Sequence, residues 1–108
     1  MSDYIQITTT TENKEQAVVI AEKLVKLRLA ACVQISGPVK SIFWWKNKVE
    51  KADEWICTAK SKSNLYKKIE KTILEIHPYE VPEIIAVPIV NGSNEYLKWI
   101  DEESAKDK

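Results

Sequence analysis

The first apolar positions alternate along the chain. Ile5 and Ile7 fall on one side of an extended backbone and Gln6 and Thr8 on the other, which predicts a strand over 4–10. The period then changes. Ala17, Ile20, Ala21, Leu24 and Leu27 recur at helical spacing, and Asn13 offers an N-cap with Gln16 as its capping-box partner. Glu12 and Glu15 at the start and Lys23, Lys26 and Arg28 at the end suit a helix dipole, so a helix is predicted over 14–28.

Residues 30–36 predict a second strand, interrupted by Gly37-Pro38 as a kink or bulge and resumed from Val39 to Trp45. Lys46-Asn47-Lys48 reads as a hairpin tip, with Asn47 suited to a left-handed conformation. Val49 to Lys60 returns as a third strand, making one long hairpin. Leu65, Ile69, Ile73 and Ile76 stripe a second helix that starts at Ser63 and ends at His77, because Pro78 cannot continue it. Ile84 to Val90 predicts a fourth strand. Asn91-Gly92 turns the chain, and Ser93 caps a short helix carrying Tyr96, Leu97, Trp99 and Ile100. The polar tail after Glu103 is expected to fray. Strand, helix, strand, strand, helix, strand is the split βαβ order of a ferredoxin-like α+β sandwich, here a single domain over 1–108 with an added C-terminal helix.

Such a sandwich leaves one sheet face to water, and that face should be polar at every second residue. Two segments break the rule. Ile84 to Val90 is apolar on both faces, and so is Ile42-Phe43-Trp44-Trp45. Trp55 adds aromatic surface across the hairpin. A single chain would expose more apolar surface than soluble monomers carry. Self-association through the hairpin is expected, with Phe43, Trp44 and Trp55 in the interface. The alternative cover is the C-terminal helix, although one short helix shields little of a four-stranded sheet.

Composition narrows the function. The chain has 108 residues, with sixteen basic and sixteen acidic side chains that cancel. A nucleic-acid partner calls for a basic excess, as does a polybasic membrane anchor, and neither is expected. No apolar run approaches the roughly 20 residues that span a bilayer. No signal peptide is visible at the N-terminus. Cys32 and Cys57 make no disulfide framework and read as two reduced thiols of a cytoplasmic protein. For 12.4 kDa the folded surface should be roughly 6,100 Å².

Chemistry-bearing residues are few. No P-loop, G-x-G-x-x-G or G-x-S-x-G sequence is present. A Cys32–His77 nucleophile and base pair is conceivable, but no third group or oxyanion hole accompanies it, so the chain is not expected to be an enzyme. The single histidine stands in Ile76-His77-Pro78-Tyr79-Glu80-Val81-Pro82-Glu83, a stiffened segment rich in polar groups. His77 suits either a transition-metal ligand or a partner for the last carbonyls of its helix. Cys32 suits either packing or a soft ligand, and a Cys/His pair with a carboxylate such as Glu80 would fit Cu or Zn.

Four stretches together resemble the CutA family of divalent-cation tolerance proteins: Ala31-Cys32-Val33, Ser41-Ile42-Phe43-Trp44-Trp45-Lys46, His77 through Ile84, and Tyr96-Leu97-Lys98-Trp99-Ile100. Their order and spacing are also similar to the family's. The resemblance implies a ferredoxin-like protomer, a homotrimer joined through its hairpins, and a response to copper above other metals. It implies Cu(II) as the candidate ion, held by His77, Cys32 and Glu80. It also implies an alternative, since the family's trimer is similar to the PII regulators. In that case a small ligand or partner protein would occupy an inter-subunit cleft at Trp45, Tyr79, Glu80 and Glu83. The chain departs from the family's copper-ligand pattern at Thr8, where a Cys is expected, and at Ile76, where a second His is expected.

Overall fold

The computed structural model describes residues 3–105. Its elements are β1 (Tyr4–Thr11), α1 (Lys14–Lys26), β2 (Cys32–Trp45), β3 (Lys48–Lys62), a 3-10 turn (Ser63–Leu65), α2 (Tyr66–Ile76), β4 (Ile85–Pro88) and α3 (Asn94–Glu103). The strands form one antiparallel sheet in the order β2-β3-β1-β4, the arrangement of a ferredoxin-like sandwich.

Register assigns the faces. Ile5 pairs with Ser61, Ile7 with Ala59, and Thr9 with Cys57. These residues share the face covered by α1 and α2. Ile7, Ile20, Leu24, Leu65, Ile69 and Ile73 are each 1% exposed or less and form the centre of the core. The other face carries Gln6, Thr8, Gln34, Ser36, Thr58 and Lys60, so most of the sheet body keeps a polar outer surface. The apolar exceptions include half-buried Ile56 on β3, Ile85 and Val87 on β4, and the hairpin.

That hairpin outreaches the rest of the molecule. β3 pairs with β1 only from Trp55 to Lys62, so residues 39–54 form a two-stranded ribbon. The arm draws the molecule out to 44 × 25 × 21 Å and raises its surface to 7217 Å², above the value expected for its mass. Beyond the helices, Ile42, Trp44 and Val49 lie on one bare face, 64%, 73% and 55% exposed.

Local chemistry sets the element ends. The Asn13 carboxamide accepts the Gln16 N–H at 2.9 Å, while the Gln16 side chain turns to Glu12 rather than back to Asn13. The expected capping box is therefore half made. α1 stops two residues short of the predicted end because Arg28 takes a left-handed conformation (φ 58) and Leu29 N–H returns to Leu24 C=O. Lys46 and Asn47 both have positive φ, 49 and 66, which makes a two-residue type I′ turn between Trp45 and Lys48. Gly37-Pro38 is a cis peptide at a shift of register between Ser36 and Val39. β4 holds four residues rather than the seven predicted, since its pairing with β1 ends at Pro88.

α3 is docked at the end of the sheet remote from the hairpin tip. Lys62 reaches Asp101, Arg28 reaches Glu103, and Ala105 N–H donates to Arg28 C=O at 2.6 Å. It leaves the arm uncovered. Frayed structure was expected after Glu103, but Ser104 is 2% exposed and Ala105 packs on the core. Residues 106–108 lie outside the described ones.

Candidate functional site: the cleft at the foot of the arm

The segment between α2 and β4 folds under the arm. α2 ends as predicted, with His77 N–H on Ile73 C=O at 2.8 Å. Pro78 has no N–H, so Tyr79 supplies the next free donor. It donates to Nδ1 of His77 at 3.1 Å, an i to i+2 turn bond. Nε2 of His77 lies 2.8 Å from Thr10 C=O on β1. The rings of His77 and Tyr79 pack at 4.8 Å between centroids. The Tyr79 phenol then donates to Oε2 of Glu54 at 2.8 Å.

Glu54 is the group the sequence analysis missed. It is 8% exposed and lies on β3, on the same face as Thr10. Among the described residues no Lys or Arg ion-pairs with it. Its signal in the sequence was the second of two carboxylates, Asp53-Glu54, set directly against an apolar run, Trp55-Ile56-Cys57. Burial, and then the Glu54 carboxylate, push the Tyr79 phenol well above its ordinary range. Burial lowers the His77 pKa against the opposing pull of Thr10 C=O and Glu54.

Around this bond chain opens a cleft of about 890 Å³. Trp45, Tyr79, Glu80 and Glu83, the residues expected around an inter-subunit cleft, line this cleft of the single chain together with Phe43 and Trp44. Trp45 is 37% exposed, and Glu80 and Glu83 are exposed. Trp55 stands elsewhere. It shares the helix-side face with Thr11, half-buried, with the Lys14 ammonium 5.8 Å from its ring centroid.

The expected copper ligands do not converge within one chain. Cys32 pairs with Lys60 on the far side of β3, whereas Thr10, which holds His77, pairs with Ile56. Four residues of strand separate those positions, roughly 14 Å at about 3.4 Å per residue. Among the described residues no group of three or more His, Cys, Asp or Glu is placed to hold a metal ion. A single chain therefore does not fit the ion by itself. Cys57 is no substitute: it is 2% exposed, lies 3.4 Å from Ala17 C=O, and burial pushes its thiol up to about 11.

Fold and site together define a ferredoxin-like sandwich with a long hairpin arm and a cleft at its foot. Residues 5–103 match the model of the CutA1 divalent ion tolerance protein family. The chain belongs to that family. It is 40% identical over 102 residues to the divalent-cation tolerance protein CutA of Archaeoglobus fulgidus, covering 94% of this chain and 97% of the relative. It is 34% identical over 96 residues to a chloroplastic CutA of Arabidopsis thaliana, covering 89% and 53%. The crystal structure of CutA1 from the psychrotrophic bacterium Shewanella sp. SIB1 superposes with a TM-score of 0.94 at 40% identity, covering 97% of this chain and 98% of that one. Among the described residues no helix is long and apolar enough to cross a membrane.

Proposed function

We propose that this chain works as a homotrimer in tolerance of divalent cations, copper first among them, with the cleft at the foot of the arm as its working surface. The bare arm carries the reading. A two-stranded ribbon is marginal in water on its own, yet this one presents Ile42, Trp44 and Val49 to solvent. Exposed apolar surface of that extent is an association surface. Phe43, 40% exposed on the opposite face, and half-buried Trp55 at the arm's root extend it.

Within one chain the donors stand apart, so a cation would be held where copies meet. Glu80 and Glu83 at the cleft mouth would face a donor of the next copy, Cys32 being the softest on offer. The role in this reading is binding: within one chain β3 stands between Cys32 on β2 and His77, held to β1, and the two form no nucleophile and base pair. Two free thiols suit a reducing, cytoplasmic setting.

The test is a calorimetric Cu(II) titration at fixed pH near 7, run on the native protein and on Trp44→Lys. Uptake in fixed ratio to the trimer, lost in a variant that sediments as a 12.4 kDa chain, is expected. Undiminished uptake by single chains, or none by the assembled protein, would refute the proposal.

A further inference from the structure

We infer that His77 is a positioning residue of the cleft and not a donor to a metal: its imidazole ties the 77–83 segment to β1 and, through Tyr79, sets the phenol on Glu54. The inference deepens the proposed function by removing one candidate ligand from the cleft and giving it another task.

The hydrogen bonds leave one tautomer. Thr10 C=O only accepts, so Nε2 carries the proton and donates at 2.8 Å. The Tyr79 N–H only donates, so Nδ1 is unprotonated and its lone pair is filled at 3.1 Å. A metal needs an imidazole lone pair. The one this neutral ring possesses is already engaged. Coordination through Nδ1 would strip Tyr79 of its acceptor. Coordination through Nε2 would break the tie to Thr10 and also require the proton to move.

What the ring does instead follows from where the bond chain starts and stops. It leaves β1 at Thr10, passes through the His77 ring and the Tyr79 backbone, and returns through the phenol to β3 at Glu54. Thr10 is paired with Ile56, two residues from Glu54, so both ends lie on one face of adjacent strands. The segment is thereby clamped over the sheet, and Thr10 is only 8% exposed beneath it. The wall of the cleft that carries Tyr79 and Glu80 depends on this clamp.

The experiment uses the fact that the chain has one histidine, so its imidazole nitrogens give unambiguous resonances. In the assembled protein they should show the Nε2–H tautomer above pH 7. The pattern should persist when Zn(II) is added at several equivalents. Two variants complete the test. His77→Asn keeps an acceptor for the Tyr79 N–H but loses the tie to Thr10, whereas His77→Ala loses both. Cu(II) affinity should stay within twofold of native in both. At pH 7 the Tyr79 ζ-carbon resonance should be that of a phenol donating to a carboxylate in the native protein, move to that of a solvated phenol in His77→Ala, and lie between the two in His77→Asn.

A stoichiometric shift of the imidazole nitrogens with Zn(II), or a more than tenfold loss of Cu(II) affinity in folded His77→Asn, would overturn the inference. So would a Tyr79 signal indifferent to both variants. If His77→Ala does not fold, the native spectrum and His77→Asn decide. A native protein that takes up no cation defeats the cation reading of the cleft. The tautomer and the Tyr79 signal would still decide the role of His77.

Discussion

Replacing Trp44 by Lys isolates the arm's part in assembly. Trp44 is 73% exposed in the single chain and faces the same side as Ile42 and Val49. A tryptophan buries up to about 250 Å². Covering the exposed share therefore removes about 180 Å² from water, and at about 25 cal/mol per Å² that stabilises each arm by up to about 4.5 kcal/mol. Lysine forfeits most of this and places an ammonium in the contact. Sites related by symmetry each lose the term, so association should weaken by up to about a thousandfold per arm. The side chain makes no contribution to the core of its own chain, so circular dichroism should show an intact fold. Sedimentation velocity from about 1 to 100 μM checks the outcome. A sedimenting mass identical to the native protein's across that range would show that the arm's apolar face is not where the copies meet.

Gly37→Ala should destabilise the protein by about 1–3 kcal/mol in urea unfolding, because φ is +153° and a Cβ there would sit 3.0 Å from the Trp55 ring and from Glu54 C=O. Lys46→Gly should raise stability by up to about 1 kcal/mol, since Lys46 holds φ 49 in a turn that favours glycine; loss of its ammonium above Trp45 offsets part of the gain, and thermal unfolding measures the balance. Cys57 is held uncharged in the fold, so above pH 9 the unfolded chain loses its proton first and stability should fall as pH rises from 9 through about 11; Cys57→Ala should flatten that slope, as read from denaturation midpoints. His77 is shifted the opposite way for a base. Its neutral form is favoured in the fold, so its contribution is present above about pH 6.5 and drains away as the solution is acidified, a trend that should be absent in His77→Asn.

Periodicity carried the elements because their patterns are local. Ile69 and Ile73 at one helical turn, and Ile5 and Ile7 at alternate positions, announce a helix and a strand without reference to anything distant. Boundaries were less legible wherever backbone conformation opposed residue type. Arg28 and Lys46 both adopt left-handed conformations normally left to Gly or Asn, and nothing in their side chains signals it. Ser104 and Ala105 read as a loose tail because their identity is bland, yet the Ala105 amide completes the end of α1 from seventy-seven positions away in sequence. The exposed apolar surface is confined for a related reason. The arm and β4 carry apolar residues on both sides, while the pleat of β1 and β3 gives most of the middle of the sheet, Ile56 apart, to Thr, Gln and Lys.

The site separates what a segment displays from what its side chains are free to do. His77, Tyr79, Glu80 and Glu83 were legible as a cluster of polar groups because two prolines hold them in a short stiff stretch. Their chemistry was not legible, because it is decided by partners outside the stretch. Pro78 removes an amide, which makes the Tyr79 N–H the donor that seeks the ring. That much is local. The Thr10 carbonyl that settles the tautomer lies 67 residues away, and the Glu54 carboxylate that receives the phenol lies 25 away. A histidine read from its neighbours looks like an open ligand; read with its long-range partners it has no lone pair to offer. The same logic moves any cation contact off the single chain. Cys32 belongs to β2 and Glu80 to the clamped segment, and within one chain β3 stands between them.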